Sequence, residues 1–138
     1  MTNHQVYLGL GSNLGERKEL IQTAITLVNE RIGTITRQSS LIETEPWGFE
    51  SGHKFLNGVI LCETALTPRE VLKGTQQIER ELGRKKKTTL TYKDRPIDID
   101  ILLYDDLKVD EPDLKIPHPL MQQRDFVMIP LKEINTNL

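Results

Sequence analysis

Arg95-Pro96-Ile97-Asp98-Ile99-Asp100-Ile101-Leu102-Leu103 alternates acids with isoleucines and closes in an apolar run. A strand has a side-chain period of two, so Asp98 and Asp100 share one face, and Ile97, Ile99 and Ile101 share the other. Side chains at i and i+2 of a strand lie about 7 Å apart. Two carboxylates that close repel each other unless a cation sits between them, and hard divalent ions such as Mg²⁺ prefer carboxylate oxygens. Two readings follow. The segment is a metal site holding a phosphate-bearing substrate, or it is an edge strand with a solvated polar face, as antiparallel sheets often carry.

The flanking sequence supplies the partners of that strand. Val6 to Leu10 reads as a short strand ending at Gly9 and Gly11, with a turn through Ser12, Asn13 and Gly15. From Glu16 to Arg31 apolar residues recur at helical spacing, and Gly33 stops the helix. Thr34 to Glu43 and Phe55 to Thr64 read as strands, separated by an irregular loop holding Pro46, Gly48 and Gly52. Thr67, Pro68 and Glu70 form a capping-box signature for a helix running to about Leu82 and Gly83. Arg84 to Lys93 is basic and aperiodic, Ile97 to Tyr104 is the next strand, and Leu107 to Val109 continues as a short one. Ile116-Pro117-His118-Pro119 is too proline-rich for regular structure, and Met121 to Leu131 carries a short helical pattern. The order strand, helix, strand, strand, helix, strand is the ferredoxin-like βαββαβ plan of the α+β class, an antiparallel sheet with helices on one face and short C-terminal elements.

Composition bounds the function. The 138 residues, 37% hydrophobic and 28% charged, suffice for one domain with a real core. A net charge of −2 argues against a general nucleic-acid binder. Cys62 is the one cysteine; it sits in the apolar run Gly58-Val59-Ile60-Leu61-Cys62 and reads as an inert core thiol. A single cysteine fits a reducing compartment, no stretch is apolar enough to span a bilayer, and Met1 to Gln5 lacks the regions of a signal peptide. The expected location is the cytoplasm.

Gly9-Leu10-Gly11-Ser12-Asn13-Leu14-Gly15 misses the dinucleotide fingerprint by one residue and is read instead as a tight turn bringing backbone near a ligand. No Gly-x-x-x-x-Gly-Lys-Ser/Thr motif occurs. Arg84-Lys85-Lys86-Lys87, Lys93 and Arg95 lie just before the acidic strand, where cations would balance phosphate charge. Asn57 falls within a strand; a buried amide needs partners for both its ends and matches the edge of a heterocycle. His118 between two prolines suits a structural hydrogen bond and a phosphate contact equally.

Lys93-Asp94-Arg95-Pro96-Ile97-Asp98-Ile99-Asp100-Ile101-Leu102-Leu103 resembles the signature of the hydroxymethyldihydropterin pyrophosphokinases. Gly11 to Gly15, Thr44-Glu45-Pro46-Trp47-Gly48, Phe55-Leu56-Asn57, Gln77-Ile78-Glu79, Pro117-His118 and Arg124-Asp125-Phe126 follow in that family's order, so the resemblance covers nearly the whole chain. It implies transfer of pyrophosphate from ATP to the hydroxymethyl group of 6-hydroxymethyl-7,8-dihydropterin, with release of AMP. It implies that Asp98 and Asp100 bind two Mg²⁺ ions, and that Arg84 and Arg95 join them as catalytic residues. Asn57, with Thr44, Pro46 and Trp47, would bind the pterin, and Phe55 and Phe126 would flank its ring. Arg84, Arg95, His118 and Arg124 would contact phosphates or nucleotide, with Glu79, Tyr92 and Ile101 on the nucleotide side. The loops 84–93 and 45–54 would be mobile covers. Tyr92 stands where the family often has tryptophan, and Lys93-Asp94 replaces a typical Gly-Pro. The partners implied are ATP and the pterin, met by a monomer, with neither nucleic acid nor membrane. The competing class is a noncatalytic ferredoxin-like module that binds RNA or a ligand through strand aromatics, here Tyr7, Tyr104 and Phe55.

Overall fold

The computed structural model describes residues 3–44, 54–83 and 96–135. Within them run β1 (His4–Ser12), α1 (Arg17–Arg31), β2 (Thr34–Gln38), β3 (Ile42–Thr44), β4 (Phe55–Thr64), α2 (Pro68–Gly83) and β5 (Asp98–Tyr104). A short ribbon, β6 (Val109–Glu111) and β7 (Leu114–Ile116), follows, then a single 3₁₀ turn at Met121–Gln123 and α3 (Asp125–Ile134). The main sheet has the order β2-β4-β1-β5, with β3 pairing the other end of β4, and every pair is antiparallel. That is the expected ferredoxin-like order.

Local chemistry explains the elements. The Thr67 hydroxyl accepts from Glu70 N–H at 3.1 Å while the Glu70 carboxylate accepts from Thr67 N–H at 2.9 Å, the reciprocal cap expected for α2. Gly15, at φ 71°, turns the chain from β1 into α1. Gly9 and Gly11, expected to end the first strand, lie inside it, since β1 keeps its register with β4 through Ser12.

The single strand expected over 34–43 divides into β2 and β3. The Ser39 hydroxyl takes the place of a ladder carbonyl, accepting from Val59 N–H at 2.9 Å. Leu41 then crosses Gly58, where a Cβ would stand only 2.6 Å from the leucine side chain. The short strand expected at 107–109 begins instead at Val109 and pairs with β7, which forms just before the irregular segment starting at Pro117. The helical pattern over 121–131 breaks at Arg124, whose backbone is extended.

The C-terminal helix adds a layer to the expected plan. Helices α1 and α2 pack one face of the sheet, where Ile21, Ala24, Val28, Val71 and Ile78 meet Val6, Leu8, Ile60, Ile99 and Ile101. Helix α3 covers part of the opposite face, with Val127, Leu131 and Ile134 against Val59, Leu61 and Leu102. The sheet is therefore a middle layer, because both faces of β4 are apolar and each must be covered. Cys62 is fully buried in the first core, and burial pushes its thiol up to about 11, so it is the inert residue expected. Among the described residues no helix is long and apolar enough to cross a membrane.

Candidate active site

The part of the sheet's second face that α3 leaves open is built by cross-strand register. Gly11 on β1 faces Asn57 on β4 to one side and Asp98 on β5 to the other. Gly9 likewise faces Val59 and Asp100. Directly paired residues share a face, so Asn57, Gly11 and Asp98 form one row across three strands. Two strand spacings separate the amide from the carboxylate, about 10 Å. Between them the floor carries no side chain. A Cβ on Gly11 would lie 2.8 Å from Asn57 Oδ1 and 3.5 Å from the Phe55 ring.

At one end of the row Asn57 is only 4% exposed, and its Nδ2 donates to Thr44 Oγ1 at 2.7 Å. That bond fixes which end of the amide faces the open floor. Phe55, two residues before Asn57, projects on the same side.

At the other end Asp98 and Asp100 are half-buried on β5, the edge strand. Glu79 reaches them from α2: its carboxylate accepts from Ile99 N–H at 2.7 Å, capping the free edge. Burial pushes the Glu79 carboxyl up to about 8; the Ile99 hydrogen bond pulls it down, while Asp98 and Asp100 add to the rise. Ile101 buries its side chain in the core under α1 and α2, so its backbone, two residues along the same edge from Ile99, is what it presents outward.

His118 and Arg124 approach the same end. His118 N–H donates to Leu102 O at 3.0 Å, and the ring Nδ1 accepts from Leu120 N–H at 3.3 Å. Burial, aided by the Arg124 charge and opposed by Asp98, holds the imidazole below its usual value. The ring is thus neutral near pH 7, with its proton on Nε2. Both uses expected for His118, a structural bond through one nitrogen and a donor on the other, are compatible. Arg124 lies with its guanidinium carbon 5.5 Å from the centre of the Phe126 ring.

The structure therefore gathers Asp98, Asp100, Glu79, His118 and Arg124 around one end of the row, and Asn57, Thr44 and Phe55 at the other; Phe126 stands with Arg124 on the same face. Pro46, Trp47, Arg84, Tyr92 and Arg95, and the two expected covering loops, lie outside the described residues. A separate cavity of about 450 Å³, lined by Gln5, Tyr7, Arg37 and Glu63 among others, sits toward the far end of the sheet and contains none of these groups. The sequence did not reveal the role of Gly11, because its contact with Asn57 depends on strand register.

The donor set suits Mg²⁺. Two hard carboxylates on one face leave room for phosphate oxygens and water, which that ion prefers over an all-protein cage. Among the described residues no third His, Cys, Asp or Glu completes a three-ligand cluster.

The Glu79 environment has a measurable consequence. Its ordinary value is 4.5, and the fold raises it to about 8. The unfolded chain therefore releases this proton first, and stability falls as pH rises between those values. Glu79→Gln keeps the acceptor for Ile99 N–H and mimics the protonated acid. In metal-free protein it raises the melting temperature clearly at pH 8 and little at pH 5, a difference on the order of a few kcal/mol. Thermal unfolding with a chelator at the two pH values checks this; an equal effect at both contradicts it.

Comparison with known proteins identifies the family. The family model for 7,8-dihydro-6-hydroxymethylpterin-pyrophosphokinase (HPPK) matches residues 7–136. The 2-amino-4-hydroxy-6-hydroxymethyldihydropteridine pyrophosphokinase of Porphyromonas gingivalis is 52% identical over 131 residues, covering 94% of this chain and 89% of the relative. The protein of the same name from Aquifex aeolicus is 44% identical over 133 residues, covering 96% and 81%. In structure, a mutant HPPK-DHPS of Plasmodium falciparum superposes with a TM-score of 0.75 at 18% identity. That likeness covers 95% of this chain and 40% of the longer one, and it establishes the fold. With the family model spanning nearly the whole chain and relatives this similar along most of their length, the chain belongs to the 7,8-dihydro-6-hydroxymethylpterin-pyrophosphokinase family.

Proposed function

We propose that the protein transfers the terminal pyrophosphoryl group of ATP to the hydroxymethyl oxygen of 6-hydroxymethyl-7,8-dihydropterin, the pyrophosphokinase step of folate biosynthesis. The new bond joins that oxygen to the β-phosphorus; the bond from the β-phosphorus to the α,β-bridging oxygen breaks, and AMP leaves. The observation that carries the reading is the row Asn57–Gly11–Asp98. It offers a heterocycle-matching amide at one end, anion-repelling carboxylates at the other, and an uncrowded floor between them.

Each group has a task in this reading. Asn57, oriented by Thr44, binds the pterin edge, and Phe55 and Phe126 flank the ring, with Pro46 and Trp47 contributing from the neighbouring segment. Asp98 and Asp100 would hold two Mg²⁺ ions, whose charge would offset that of the phosphates and favour an ionised attacking oxygen. Arg124 and the Nε2–H of His118 bind phosphate oxygens, with Arg84 and Arg95 doing the same from the segment before β5. Glu79, Tyr92 and the Ile101 backbone serve the nucleotide in this reading. These residues supply position and electrostatics, which is most of what phosphoryl transfer needs from a protein. The hydroxymethyl proton is released to solvent water, so the step needs no side-chain base. The proposal includes action as a monomer in the cytoplasm on these small molecules, with neither nucleic acid nor membrane.

The test is the nucleotide product. With ATP, Mg²⁺ and the hydroxymethyl pterin, the protein is expected to form AMP in step with pterin consumption. Formation of ADP alone, or no turnover, overturns the assignment.

A further inference from the structure

Arg17 opens α1, immediately after the turn that follows the glycine floor. Its backbone N–H donates to Gly15 O at 3.0 Å, so that turn fixes where the side chain starts. The guanidinium then reaches β3 and the residue just before β4. Nη1 donates to the carbonyl of Lys54 at 2.9 Å, and Nη2 donates to Glu43 Oε2 at 2.6 Å. Glu43 precedes Thr44, the last residue of β3, and Lys54 precedes Phe55, the first residue of β4. Thr44 and Phe55 are directly paired. One planar cation therefore joins the end of β3 to the residue before β4.

The position matters for recognition. Thr44 Oγ1 is the acceptor that orients Asn57, and Phe55 lines the floor beside Gly11. Any splaying of β3 from β4 at this end lengthens the Thr44–Asn57 bond first, because β3 is only three residues long. The Arg17 hydrogen bond holds the Glu43 carboxyl below its usual value, as expected for a carboxylate engaged by a guanidinium. Exposed ion pairs of this kind add little to overall stability. A guanidinium bridging a carboxylate on one strand and a backbone carbonyl just before the next instead fixes local geometry, because its fork has fixed directions.

We propose that Arg17 is a positioning residue for pterin recognition, tying the ends of β3 and β4 so that Thr44 stays within bonding distance of Asn57. The inference rests on the pterin site proposed above. It acts on the pterin end of the row alone, since Glu79, Asp98, His118 and Arg124 lie at the other end.

The experiment measures kcat and both KM values for AMP formation. Arg17→Ala is expected to raise the pterin KM about fivefold, with kcat and the ATP KM within about twofold of the parent. Arg17→Lys restores the charge and one of the two bonds, so its pterin KM falls between the two. Arg31 makes a comparable exposed pair with Glu81 near the other end of α1, and Arg31→Ala is expected to leave the pterin KM unchanged. An unchanged pterin KM in Arg17→Ala, an equal rise in the ATP KM, or an equal effect of Arg31→Ala overturns the proposal. If the parent forms AMP and Arg17→Ala behaves like it, only the role of Arg17 falls. If the parent forms no AMP, the functional reading falls and takes this role with it.

Discussion

Asp98→Ala lowers AMP formation by about 10³-fold or more, equivalent to roughly 4 kcal/mol of transition-state stabilisation, while the protein stays folded. The loss is large because the carboxylate is one of two that hold the metals proposed for the triphosphate. The fold survives because Asp98 is half-buried on an edge strand and contributes nothing to either apolar core. Removing its charge also eases the repulsion that helps raise the Glu79 carboxyl, so metal-free Asp98→Ala is expected to melt no lower than the parent. Single-turnover AMP formation and a melting curve measure the two halves. Turnover within tenfold of the parent sinks the metal assignment.

Asn57→Ala raises the pterin KM by about 100-fold, roughly 2.7 kcal/mol, and leaves the ATP KM within about threefold. The size follows from a buried amide that is matched to a heterocycle edge; a site built for hydrogen bonds loses heavily when one partner is removed. Gly11→Ala approaches the same pocket from its floor. Its Cβ would press on Asn57 Oδ1 at 2.8 Å, so the amide must shift and the pterin KM rises in the same direction. Steady-state kinetics with each substrate varied in turn separates the cases. A rise in the ATP KM equal to that for pterin in either variant contradicts the placement of pterin at this end of the row.

The elements most legible in the sequence were those coded by local chemistry. Phe55–Thr64 is a strand to the residue, because its flanking turn signals and β-branched content agree. The cap of α2 follows from Thr67 and Glu70 alone. What local chemistry cannot encode is which side of a sheet a later helix covers. The helical pattern over 121–131 carries no mark of the face it will cover. Yet the unbroken apolar run Val59-Ile60-Leu61-Cys62 already indicated a strand buried on both faces, a sign that alternation alone had obscured. The division between β2 and β3 depends on one serine hydroxyl replacing a ladder acceptor, which no periodicity signals.

The candidate site divides in the same way. Asp98 and Asp100 were legible because alternation puts them on one face. The approach of Glu79 to Ile99 N–H was not, since it depends on how α2 lies along the sheet edge. The resemblance named Glu79 and Ile101, and the structure refines both: Glu79 caps the strand edge, and Ile101 offers its backbone while its side chain stays in the core. Gly11 was read as a turn residue. Its position in the floor became visible only when strand register placed it between Asn57 and Asp98.

The most direct test of this account is a crystal structure of the protein with Mg²⁺, a non-hydrolysable ATP analogue and the hydroxymethyl pterin. Two metal ions are expected on Asp98 and Asp100, with the pterin edge on Asn57 and the hydroxymethyl carbon over Gly11, pointing at the β-phosphorus. Metals held elsewhere, or a pterin bound away from Asn57, contradicts it.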